Sequence, residues 1–169
     1  MTVIEYQQLA MRTSNNALDG GEHVINGALG LCGEAGEVKI ANTRAEIIEE
    51  TGDVCWYMAE MATALGIGLE TVFENCNRTF IWTPNVAADR LLIAAAGIAD
   101  CVKKSFMQGH HFDEEKIKKQ LSNVAKAIDA IAKWYEISVI DIMAGNIKKL
   151  AARYPEGRFE IDRSVNREE

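Results

Sequence analysis

Two pairs of carboxylates have the spacing that chemistry requires: Glu34 and Glu37 in Gly33-Glu34-Ala35-Gly36-Glu37-Val38, and Glu50 and Asp53 in Glu49-Glu50-Thr51-Gly52-Asp53-Val54. The acids of each pair are three residues apart, which on a helix puts both on one face about one turn apart. Two such helices packed together aim four acids at one point. Like charges gathered in this way repel unless a cation neutralises them. An all-oxygen set suits a hard divalent ion, Mg2+ or its substitute Mn2+, and Mg2+ keeps waters and bridges substrate phosphates. The pattern therefore points to phosphate chemistry.

Helices must carry these acids. Apolar residues recur at helical spacing from about residue 24 to 41. Thr43 and Glu46 form a capping box that opens a second helix ending near Gly66, and a shorter helix is expected over 69–80. Thr83-Pro84-Asn85 interrupts the pattern, and three further helices are expected over about 87–107, 113–135 and 138–152, with Asp113 and Ser138 as N-caps. With only 2 prolines in 169 residues, the reading is an all-α helical bundle.

The second set of three helices repeats the first. Glu34-Ala35-Gly36-Glu37-Val38 aligns with Ala94-Ala95-Ala96-Gly97-Ile98 at an offset of 60, and Ile67-Gly68-Leu69 aligns with Ile137-Ser138-Val139 at an offset of 70. This divides the chain into an acidic unit, 1–83, and a second unit, 84–169, packed as one domain in the manner of a dimer within one chain. The four acids then correspond to Ala94, Gly97, Gln120 and Asn123.

Charge follows the same division. The formal net charge is -7, with 4 Lys+Arg against 12 Asp+Glu in residues 1–83 and 14 against 13 in residues 84–169. An acidic balance argues against a nucleic-acid partner. Apolar residues make up 48%, yet no run reaches the ~20 residues of a membrane span, and the first residues lack the pattern of a signal peptide. A cytoplasmic protein with no membrane partner is expected. Cys32, Cys55, Cys76 and Cys101 show no CxxC spacing and read as reduced thiols in apolar helices.

GEAGEV followed by EETGDVCWY resembles the ExxE and ExxD signature of the MazG-like nucleoside triphosphate pyrophosphohydrolases, an all-α superfamily that also holds dimeric dUTPases and phosphoribosyl-ATP pyrophosphohydrolases. A single-unit member continues with Lys-Lys, Gly-His and Asp, and ends in Asn-Ile-x-Lys-Leu-x-x-Arg-Tyr-Pro. Here those parts stand in the second unit, as Lys103-Lys104 through Asp113 and as Asn146-Ile147-Lys148-Lys149-Leu150-Ala151-Ala152-Arg153-Tyr154-Pro155. The first unit has Cys76 in place of Asn146 and ends in Thr79-Phe80-Ile81-Trp82-Thr83. One unit thus keeps the acids and the other the basic residues, which implies a composite site.

The resemblance implies hydrolysis of a ribo- or deoxynucleoside triphosphate to the monophosphate and pyrophosphate. Glu34, Glu37, Glu50 and Asp53 would hold Mg2+, and Glu34 or Glu37 would take a proton from water. Lys103, Lys104, Asn146, Lys149, Arg153 and Tyr154 would bind the substrate, and a homodimer of fused units is expected. Read without the resemblance, the lysines serve equally as solvated helix ends. A dUTP- or dCTP-restricted pyrophosphatase and a non-catalytic nucleotide-binding or partner protein remain as alternatives.

Overall fold

The computed structural model describes residues 1–74 and 82–166. Cys76, Thr79, Phe80, Ile81 and Arg167 lie outside the described residues, as does the end of the helix expected over 69–80. The described residues are helical with no strand, and no helix among them is long and apolar enough to cross a membrane.

Four long helices form two hairpins. The first is α2 (Gly20–Ile40) with α3 (Arg44–Ala64), the second α5 (Pro84–Gln108) with α6 (Glu114–Trp134), and α2 also packs against α5. Polar caps set their ends. Asp19 accepts from the backbone of Glu22 while Glu22 reaches back to Asp19, so α2 begins before its apolar periodicity does. Thr43 and Glu46 do the same for α3. Pro84 opens α5 rather than delaying it, because the first helical turn needs no donor from that position and Thr83 caps the turn.

The units match at an offset of 70 beyond their helix limits. Leu65 and Ile67 donate to Met61 and Ala62 across Gly66 at φ 67°, and Tyr135 and Ile137 donate to Ile131 and Ala132 across Glu136 at φ 54°. The same left-handed helix end is thus built twice, once with glycine and once with glutamate.

After each hairpin the chain crosses to the opposite one. Helix α4 (Leu69–Glu74) packs on α6, and α7 (Val139–Arg153) packs on α3. Two helices lie outside the sequence expectation. Helix α1 (Val3–Met11), capped by Thr2 and Glu5, packs on α3, α4 and α7, and α8 (Ile161–Val165) follows α7. One cluster of buried side chains joins both hairpins, with Leu31, Met58, Leu91, Ile98, Leu121 and Ile128 fully enclosed. Burial of each such side chain contributes about 1.5–3 kcal/mol. Cys55 and Cys101 belong to this interior, and the described cysteines are free thiols.

A left-handed conformation costs a side-chain-bearing residue about 1–2 kcal/mol, offset only in part by the extra freedom glycine has when unfolded. Replacing Glu136 with Gly is therefore expected to stabilise the protein by about 1 kcal/mol in urea unfolding. Unchanged or lower stability would show that Glu136 is not strained there.

Candidate metal and phosphate site

Side-chain contacts show that α2 and α3 run antiparallel. A Cβ on Gly27 would meet Met61, one on Gly30 would lie 2.1 Å from the Tyr57 ring, and further along Asn26 and His23 reach Glu60. In that register Glu34 and Glu37 come opposite Glu50 and Asp53. Carboxylate oxygens of Glu34, Glu50 and Asp53 all lie within 4.8 Å of one another. Glu37 lines the same cleft, which encloses about 460 Å³.

Burial, and then proximity, raise the proton affinity of Glu34 and Glu50. Glu34 is pushed up to about 7, first by burial and then by the charges of Asp53, Glu50 and Glu37, with Lys149 opposing. Glu50 is raised for the same leading reason, burial, and next by Asp53. Acids that would rather hold protons than face one another form a donor set fitted to a hard divalent cation.

The crossing of α7 brings residues of the second unit onto these acids. Asn146 Nδ2 donates to Asp53 Oδ1 at 2.8 Å, and Lys149 Nζ lies 2.6 Å from Asp53 Oδ2 and 2.8 Å from Glu49 Oε1. Burial alone would lower the Lys149 pKa, but hydrogen bonds to Asp53 and Glu49 outweigh it and raise it, so the ammonium stays charged. Gly52 permits this approach, since a Cβ there would stand 3.1 Å from that of Asn146. Arg153 and Tyr154 line the cleft one turn further along α7.

Lys103 and Lys104 are not brought to the acids. Lys39 pairs with Asp89 and Gly21 lies against Phe106, so α5 runs antiparallel to α2. The two lysines sit beside the first turn of α2, about 18 Å along the helix from Glu34. Both pair with Asp100 on their own helix, at 3.0 and 2.7 Å. The substrate-binding role expected for them is therefore withdrawn.

Tyr6 and Glu60, two buried partners of residues at the cleft, lie outside the sequence reading. Tyr6 of α1 is fully buried and donates to Asn146 Oδ1 at 2.9 Å, which completes a chain from Tyr6 through Asn146 to Asp53. Glu60, 1% exposed, accepts from Asn26 Nδ2, His23 Nδ1 and Ser14 Oγ. Seven residues after Asp53, it lies on the same α3 face, and extending the acid spacing by two turns would have found it. Trp56 and Tyr57 line the cleft itself, with Trp56 Nε1 donating to Ala10 O and Thr13 Oγ1.

Seventy residues after Glu50 and Asp53, α6 carries two amides, Gln120 and Asn123, that bond to each other. The Gln120 side chain covers Gly97, where a Cβ would meet it at 3.2 Å, and Asn123 Nδ2 donates to Gln120 Oε1. Compared with protein-family models, curated proteins and solved structures, the chain has no match.

A carboxyl with a raised folded-state pKa takes up protons on folding, so its contribution to stability falls as pH rises. For Glu34 that window runs from about 4.5, its ordinary value, to about 7. The melting temperature in chelator is expected to fall across this window. Mg2+ or Mn2+ should restore it most near and above about 7, and Glu34→Gln should diminish both effects. A cation effect equal in wild type and variant would count against these acids as its site.

Proposed function

We propose that this cleft hydrolyses nucleoside triphosphates to the monophosphate and pyrophosphate, the activity of the MazG-like family that the two acid motifs resemble. One observation carries the reading: Glu34, Glu37, Glu50 and Asp53 line one cleft with Lys149, Arg153 and Tyr154, and Asn146 donates to Asp53 beside it. An acid cluster alone would bind a cation. Basic groups at its edge add a place for a polyanion.

Glu34, Glu37, Glu50 and Asp53 would hold Mg2+ or Mn2+; a bound divalent ion neutralises phosphate charge and makes water a better nucleophile. Asn146 fixes one oxygen of Asp53, and Tyr6 fixes Asn146. Lys149 exchanges a carboxylate for a phosphate oxygen when substrate enters, and the guanidinium of Arg153 donates to the same polyanion. Water attacks the α-phosphorus, its proton passes to Glu34 or Glu37, and the bond from the α-phosphorus to the bridging oxygen breaks. Both electrons of that bond leave with pyrophosphate. Pairing of two chains belongs to the same reading, and the exposed Leu29 and Ile40 on α2 with Ile93 on α5 offer an apolar face for it.

Purified protein with Mg2+ and a panel of ribo- and deoxynucleoside triphosphates is expected to yield monophosphate and pyrophosphate by chromatography. Glu50→Gln should lower kcat at least about a hundredfold, or ~2.7 kcal/mol. Lys149→Ala should lower kcat/KM about tenfold or more, whereas Lys104→Ala should match wild type. Nucleotide binding without turnover of any substrate would favour a nucleotide-binding protein over an enzyme.

A further inference from the structure

We propose that the end of the cleft remote from the acids reads a nucleobase, with Asn26 as the reading group and Glu60 as the residue that sets which way its amide faces. This rests on the triphosphate reading of the acid end. Asn26 lines the same cleft as Glu34 and precedes it by eight residues on α2, about 12 Å along the helix. Between them the groove passes the rings of Trp56 and Tyr57, with Tyr57 seated on Gly30. A nucleotide whose phosphates meet the acids would extend its base past these rings towards Asn26.

The orientation of the Asn26 amide follows from its partner. An ionised carboxylate can only accept, so the group 2.8 Å from Glu60 Oε2 is the Asn26 NH2, and the carbonyl oxygen faces elsewhere. No described residue donates to that oxygen, and it is not among sealed polar atoms lacking a partner. It is therefore an acceptor open to solvent on a residue that lines the cleft. Glu60 cannot readily turn, because its other oxygen holds His23 Nδ1 at 2.9 Å and Ser14 Oγ at 3.2 Å. A buried carboxylate with three donors is a fixed reference, and Asn26 inherits its direction. The fitting ligand is a base whose outer edge carries an N–H: the amine of cytosine or adenine, or the ring N–H of uracil.

Binding separates this proposal from catalysis. With Mg2+ present, calorimetry on the full chain would compare α,β-imido triphosphates of cytidine, uridine, adenosine and 3-methyluridine, which lacks an edge N–H, with inorganic tripolyphosphate. At least one N–H base should bind about tenfold more tightly than the 3-methyluridine analogue, the worth of one hydrogen bond. Asn26→Ala should erase that margin and leave tripolyphosphate binding intact. Glu60→Gln is a sharper test. Its oxygen would stay with His23 and Ser14, its NH2 would face Asn26, and the Asn26 amide would have to turn round. That variant should lose the preference for an N–H base while gaining affinity for the methylated one. If Glu60→Gln does not fold, as thermal melting would show, the Asn26→Ala and 3-methyluridine comparisons decide alone. Unchanged selectivity in Asn26→Ala with tripolyphosphate still bound would overturn base reading and leave the acid site standing. No binding of tripolyphosphate or any nucleotide would overturn both.

Discussion

Asp53 accepts from Asn146 with one oxygen and from Lys149 with the other, and much of the architecture is arranged so that these two contacts can form. Three acids with oxygens within 4.8 Å of one another are a repulsive arrangement. Unopposed, it would push α2 away from α3 or leave carboxyls protonated. Helix α7 supplies an amide and an ammonium at that point, and its approach depends on the bare backbone of Gly52. Behind it, Tyr6 occupies the remaining Asn146 acceptor, so the acid nearest the helix crossing is held from two directions.

The helix that makes these contacts belongs to the other hairpin, and this accounts for how the two halves divide their residues. Since α7 lies chiefly on α3 while α4 lies chiefly on α6, side chains on α7 reach the acids of the first hairpin. On α6, Asn123 donates to Gln120, and Gly97 on α5 gives Gln120 room. Neutral amides bonded to each other carry none of the mutual repulsion that crowded carboxylates do.

Legibility in the sequence followed the range of the forces involved. Local signals mark the capping box at Thr43, the N-caps at Asp113 and Ser138, the acid pairs and the limits of α3 and α6, because each depends on residues within one or two turns. Helix α1 lies outside the sequence reading although Thr2 and Glu5 have the same capping-box form as Thr43 and Glu46; it is only nine residues long, and packing on three other helices sets its place. Lys103 and Lys104 show the same dependence on packing. Their spacing is compatible with a phosphate site, but only the antiparallel register of α5 on α2 decides that they lie beside the start of α2 and pair with Asp100.

The same register organises the cleft as a series of tiers. Antiparallel helices pair residues whose numbers rise on one and fall on the other, so Glu34 with Glu50 and Asp53, Gly30 with Tyr57, and Asn26 and His23 with Glu60 succeed each other along one groove. Each tier differs in kind: crowded acids, an aromatic ring on a bare backbone, then a buried carboxylate surrounded by donors. A face repeating every seven residues on α3, from Asp53 to Glu60, would in an ordinary surface helix be uniformly solvated. Here one end is polar because charge is concentrated there, and the other because charge is fully compensated. A ligand spanning this groove would meet strong, long-range attraction at its charged end and directional hydrogen bonding at its neutral end, so affinity and selectivity can be set by different residues of the same two helices.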